Sequence, residues 1–211
     1  MCIRDSTNSL RYYDPTGSNN PSASNVLTVG AWHHVVVSVN NSTGNIIIYV
    51  DNISVATGTA NASRTDSGYA LQIGRDEDKA SPYYFDGIIS NASVWNIALT
   101  PTQVREIYNQ GLPSDLNSHS AYSNLVSWWQ LGENSSFTNN WICADEKGTN
   151  NGTSANMGVD ALTNGVGTTA NGTSSGMAVG ALLGNAPYSN ANAISSGMAV
   201  TARVTGSGNT P

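Results

Sequence analysis

Trp32-His33-His34-Val35-Val36-Val37-Ser38-Val39, followed after the turn cluster Asn41-Ser42-Thr43-Gly44-Asn45 by Ile46-Ile47-Ile48-Tyr49-Val50, is the stretch on which the fold turns. β-Branched and aromatic residues dominate both runs, and their nearly continuous apolarity predicts strands covered on both faces. Asp51-Asn52 is a second turn signal, because both residues tolerate the left-handed backbone that a tight hairpin demands. A third strand is expected over 53–57 and a fourth over 69–74. The charged loop Arg75-Asp76-Glu77-Asp78-Lys79 follows, and then a fifth strand within 85–95. Short strands at this spacing, separated by turns, predict an all-β sandwich or barrel.

One helix interrupts the pattern. Thr100-Pro101-Thr102-Gln103 has the form of a capping box with proline at the first helical position. Val104, Ile107 and Tyr108 give the apolar stripe, and Gly111 is the expected stop. Farther on, Leu125-Val126-Ser127-Trp128-Trp129-Gln130-Leu131 reads as another strand. Beyond Gly148 the only charges are Asp160 and Arg203 and the only aromatic residue is Tyr188. This tail repeats itself: Asn151-Gly152-Thr153-Ser154 with Met157 and Val159 returns as Asn171-Gly172-Thr173-Ser174 with Met177 and Val179. A third echo is Ser195-Ser196-Gly197-Met198. So little apolar and aromatic surface predicts a segment that is disordered in isolation.

Composition removes several functions. With 8 Lys and Arg against 14 Asp and Glu in 211 residues, the net charge is -6. No basic cluster exists to meet phosphates, so nucleic acid and anionic membrane surfaces are excluded as partners. Only 10% of residues are charged, against about 25% in ordinary domains, and Asn, Ser, Thr and Gly supply the polarity, a balance typical of virion-surface and extracellular proteins. Cys2 and Cys143 are too few for a disulfide framework. No apolar run reaches the roughly 20 residues of a membrane span, so no membrane insertion is expected. Met1-Cys2-Ile3-Arg4-Asp5-Ser6 translates the transposon end of common sequencing adapters and is read as a scar of that DNA. The domain is then truncated at its N-terminus. The expected organisation is a scar over 1–6, an incomplete sandwich over 7–113, a linker with a Trp-rich strand over 114–150, and the low-complexity tail over 151–211.

The order Trp32-His33-His34-Val35, Ile48-Tyr49-Val50-Asp51-Asn52, Leu71-Gln72-Ile73-Gly74, Tyr84-Phe85-Asp86-Gly87-Ile88-Ile89, Val94-Trp95-Asn96-Ile97-Ala98-Leu99-Thr100 and Gln103-Val104-Arg105-Glu106-Ile107-Tyr108-Asn109 resembles the later half of a laminin G-like, concanavalin A-like jelly roll. The stretch 125–153, with Asp145-x-x-Gly148 and Asn151-Gly152-Thr153, is similar to a second motif of these proteins. The whole resembles family members encoded by marine bacteriophages. The resemblance implies a jelly-roll β-sandwich with one short helix, and a role in recognition on a virion or other extracellular assembly.

Where members of this family bind calcium, rim carboxylates and carbonyls hold it, since Ca²⁺ selects hard oxygen ligands. Asp76, Asp78 and Asp86 are the candidates here, although Ser90-Asn91 stands where the family often has an acid. No other cofactor is implied. Glucanases of this architecture carry a Glu-x-Asp-x-x-Glu strand, and the strand candidates 32–39, 46–50, 69–73 and 88–95 contain no acid at all. The expectation is therefore no enzyme. Sugars are held by aromatic faces and by amide or carboxylate hydrogen bonds, so Tyr12, Tyr13, Tyr83 and Tyr84 beside Asp86 are the expected binding residues. Glycans or cell-surface polysaccharide are the expected partners. The alternatives are a structural protein that packs against copies of itself or other virion proteins, and a glycan-active enzyme fragment with its acids outside this sequence.

Overall fold

The computed structural model describes residues 2–4, 8–14, 19–59, 70–76, 83–85, 87–132, 134–162, 172–173 and 193–194. The chain falls into two compact units, Met1–Gly87 with Trp95–Leu125, and Ile88–Val94 with Val126–Pro211.

In the first unit, β1 (Cys2–Arg4), β2 (Ser9–Arg11) and β3 (Ser22–Ala23) form one antiparallel sheet, and β4 (Val35–Val39), β5 (Asn45–Val50) and β6 (Ile53–Thr59) form another. The register Val35↔Val50 and Val37↔Ile48 alternates with Val36↔Tyr49 and Ser38↔Ile47. Because side chains alternate along a strand, this register sorts them into two sets. Ile48 and Val50 pack with Leu10, Tyr12, Val35 and Val37. Tyr49 packs with Leu99, Val104, Val36, Ile47 and Trp95. Both faces of the sheet are thus covered, as the unbroken apolar runs predict. Fully burying each such aliphatic side chain contributes roughly 1.5–3 kcal/mol. The β5–β6 turn has Asp51 at φ 49 and Asn52 at φ 66, the two left-handed residues of a tight hairpin.

Helix α1 (Pro101–Tyr108) lays Val104, 0% exposed, on this sheet. Its capping box is complete: the Gln103 N–H donates to Thr100 Oγ1 and the Thr100 N–H donates to Gln103 Oε1. The stop differs from expectation. Asn109, not Gly111, is the left-handed cap at φ 42, and its N–H reaches the Arg105 carbonyl. Asparagine tolerates that conformation, and Gln110 and Gly111 continue it at φ 59 and 87.

Two sequence expectations are corrected. The strand expected over 32–39 begins only at Val35, so His33 and His34 precede it rather than lying on it. Residues 70–74 carry no strand; the pairing falls on β7 (Arg75–Asp76) and β8 (Tyr83–Tyr84), inside what reads as a charged loop. Two-residue strands are too short to show a period.

In the second unit, β9 (Ala92–Trp95) pairs with β10 (Leu125–Trp129), each contributing its final or first residue to the other unit's span. β11 (Ser136–Phe137), β12 (Trp141–Cys143) and β13 (Gly152–Thr153) form a three-stranded sheet. The first tail repeat therefore enters a sheet through Gly152 and Thr153. The equivalent residues of the second repeat form β14 (Gly172–Thr173), which pairs in parallel with β15 (Ala193–Ile194). Beyond residue 162, the tail apart from β14 and β15 lies outside the described residues. The architecture is all-β with one short α-helix, and no helix among the described residues is long and apolar enough to cross a membrane.

Candidate functional site

The β7–β8 ladder sets Arg75 opposite Tyr84 and Asp76 opposite Tyr83. Its far end is closed by the Phe85 N–H donating to the Gly74 carbonyl at 2.8 Å. Tyr84 is 68% exposed, and the Arg75 guanidinium carbon lies 5.9 Å from its ring centroid. A cation in that position is drawn to the electron-rich face of the ring and restrains it. Leu71 and Ile73, on the segment leading into β7, are also exposed. The ladder thus presents an exposed aromatic ring with a cation over it. The side chains of Asp76 and Tyr83, and the whole of Asp78 and Asp86, lie outside the described residues.

Tyr12 and Tyr13, just beyond the end of β2, face different ways. Tyr12 turns inward against the Leu10, Ile48 and Val50 cluster, while Tyr13 turns outward, half exposed, with the Arg11 guanidinium carbon 5.1 Å from its ring. Asp14 is buried, and its backbone is clasped by Asn20: the Asp14 N–H donates to Asn20 Oδ1, and Asn20 Nδ2 donates to the Asp14 carbonyl. Among the described residues the exposed tyrosines are Tyr13 and Tyr84, and each has an arginine over its ring.

The rings of His33 and His119 are fully occupied by structural contacts. His33 Nδ1 meets Asp51 Oδ2 at 2.7 Å, and the Thr28 N–H donates to His33 Nε2 at 2.8 Å. The proton therefore sits on Nδ1, and the lone pair a general base would use is already taken. The other Asp51 oxygen accepts the His34 N–H. His34 is pushed toward the neutral form because burial outweighs the attraction of Asp51. Its ring lies against Tyr108, 5.9 Å between centroids. His119 is likewise consumed, donating through Nε2 to the Gln103 carbonyl, accepting the Ala121 N–H at Nδ1, and packing on Trp95. Among the described residues no group of three or more His, Cys, Asp or Glu side chains is arranged to hold a metal ion.

In the second unit the Asp145-x-x-Gly148 motif acquires a physical reason. The buried Asp145 carboxylate accepts the backbone N–H groups of Trp128, Lys147 and Asn150 at 2.9–3.1 Å. Burial alone raises its pKa. The hydrogen bonds from Trp128, Gly148, Ser127 and Lys147 more than offset this and hold it at about 2. A Cβ at Gly148 would stand 2.9 Å from Asp145 Oδ2 and 3.2 Å from the Val126 carbonyl, so only glycine fits beside this hub. With every oxygen already satisfied, Asp145 organises a loop and has no capacity left for chemistry.

Residues 3–105 match the model of the concanavalin A-like lectin/glucanases superfamily. Over this segment the chain is similar to that superfamily. The two-faced sheet, the capped helix and the β7–β8 ladder all fall within or beside it. C-reactive protein 1.4 of Limulus polyphemus is 26% identical over 132 residues, which cover 57% of this chain and 53% of that one. The sushi, von Willebrand factor type A, EGF and pentraxin domain-containing protein 1 of Rattus norvegicus is 26% identical over 106 residues, 47% of this chain and 3% of that protein. The chain spans about half the length of the C-reactive protein it matches. Among solved structures, a proposed carbohydrate-binding protein of Bacteroides ovatus is similar with a TM-score of 0.49 and 23% identity, over 64% of this chain and 39% of that one.

Proposed function

We propose that the concanavalin A-like domain is a non-enzymatic carbohydrate-recognition module that works in an extracellular setting, on a virion or another surface assembly. The carrying observation is Tyr84, 68% exposed on a paired strand with Arg75 over its ring. A pyranose presents a C–H-rich face that packs on such a ring, and a ring already restrained loses little freedom on binding. Tyr83 and Asp86, its neighbours in the sequence, are the further aromatic and carboxylate of this proposal, and Tyr13 with Arg11 offers a similar ring and cation elsewhere in the same unit. The match of residues 3–105 to the lectin/glucanase superfamily is compatible with a lectin, and β4, β5, β6, β9 and β10 contain no Asp or Glu that could form the carboxylate pair glycoside hydrolysis requires.

A glycan array probed with the full chain and with Tyr84→Ala tests this. Binding by the parent chain that disappears in the variant, at an unchanged melting temperature, is the expected result; equal binding by both overturns the role of Tyr84. Calcium coordination by Asp76, Asp78 and Asp86 belongs to the same proposal, and predicts a higher melting midpoint in calcium than in chelator. Exposed Leu71 and Ile73 favour a second reading, assembly with copies of the chain or other virion proteins. Concentration-dependent light scattering without any glycan binding would select it.

A further inference from the structure

A depression of about 400 Å³ opens where the C-terminal end of α1 meets the β5–β6 turn, lined by Asn52, Arg105, Glu106, Tyr108, Asn109 and Gln110. That volume lies within the ~300–1,000 Å³ typical of ligand pockets. Five of these six side chains make no hydrogen bond or close ion pair with any described residue, the Tyr108 hydroxyl included. Only Glu106 is engaged, accepting the Ser120 N–H at 3.1 Å and lying 3.5 Å from His119 Nε2. Those Ser120 hydrogen bonds keep its carboxyl ionised below the usual range. Unused hydrogen-bonding groups are ordinarily scattered over a surface, whereas here they converge on one concavity.

Their chemistry selects a ligand class. Arg105 and Glu106 cancel in formal charge, so the depression does not favour an anion or a cation. The guanidinium and the three amides offer donors, and the amide carbonyls and the Glu106 carboxylate offer acceptors. A ligand whose every group both donates and accepts satisfies such a mixed rim, and a neutral polyhydroxylated ring is of that kind. The backbone adds a second sign. Asn52, Asn109 and Gln110 all hold left-handed conformations, at φ 66, 42 and 59. Asparagine adopts this region readily, but for glutamine it is strained, and strained residues collect at functional sites.

We propose that this depression is a saccharide subsite distinct from the Tyr84 face, taking one neutral pyranose unit. The proposal rests on the carbohydrate reading given above. The test is a ¹H–¹⁵N correlation titration of the full chain with methyl glycosides of glucose, mannose and galactose. It is run on the parent protein, Tyr84→Ala, Arg105→Met and Gln110→Gly. Saturable shifts of the Asn52, Asn109 and Gln110 side-chain amides are expected in the parent and in Tyr84→Ala, with affinity at least about tenfold weaker in Arg105→Met. Gln110→Gly relieves the backbone strain, so it folds at least as well as the parent while losing an amide, and its binding is expected to weaken. Shifts confined to the surroundings of Tyr84, shifts with none of the three glycosides, or undiminished affinity in both pocket variants overturn the subsite. Array binding lost in Tyr84→Ala with silent pocket amides would leave the main reading intact. Saturable pocket shifts with an array signal indifferent to Tyr84 would do the reverse.

Discussion

Asp145 shows how one carboxylate can hold a loop. Its hydrogen bonds depress its pKa to about 2 from the ordinary 3.8. A depressed carboxylate contributes stability that is complete above its unfolded pKa and is lost as pH falls toward its folded one. The expected loss is on the order of 2 kcal/mol between about pH 4 and pH 2. Thermal melts across that window check it: Asp145→Asn should melt lower than the parent at neutral pH, with the difference shrinking as acid protonates the parent. A constant difference down to pH 2 would contradict the assignment. The motif is readable in the sequence as a family feature, but its reason is not, since the donors Trp128 and Asn150 lie on opposite sides of it in the chain. Similarly, Tyr12 and Tyr13 look alike in the sequence and separate only in the fold, where one packs on the core and the other faces solvent.

Elements with local causes were legible. The Asp51-Asn52 turn and the Thr100 to Gln103 capping box depend on residues within four positions of each other, and both form as expected. Removing the cap tests the second: Thr100→Ala leaves the Gln103 N–H without its partner and should cost about 1 kcal/mol, seen as a lower melting midpoint. An unchanged midpoint would mean the helix is held by Val104 and its core neighbours alone. The β7–β8 ladder was not legible, because it is built from two-residue strands amid charged residues and its pairing spans the segment between Asp76 and Tyr83. Propensity over 69–74 pointed to a strand a few residues early for the same reason. The helix stop slipped from Gly111 to Asn109 because asparagine can take the left-handed cap itself.

At the scale of the molecule, the unbroken apolarity of 35–39 and 46–50 predicted a sheet covered on both faces, and the two core clusters are those two faces. The matched family segment, 3–105, carries that sheet, most of α1 and the exposed Tyr84. Net charge of -6 with so few ionised residues leaves amides and hydroxyls to supply most of the chain's polarity, a balance that offers little counter-charge to phosphates. The central claim is that the face of Tyr84 receives a sugar. Isothermal titration of the strongest array glycan into the parent, Tyr84→Phe and Tyr84→Ala measures it most directly. Since the ring carries the contact, Tyr84→Phe should keep Kd within about threefold and Tyr84→Ala should weaken it by about tenfold or more. Equal affinities in all three proteins, or no saturable binding by the parent, would contradict the account.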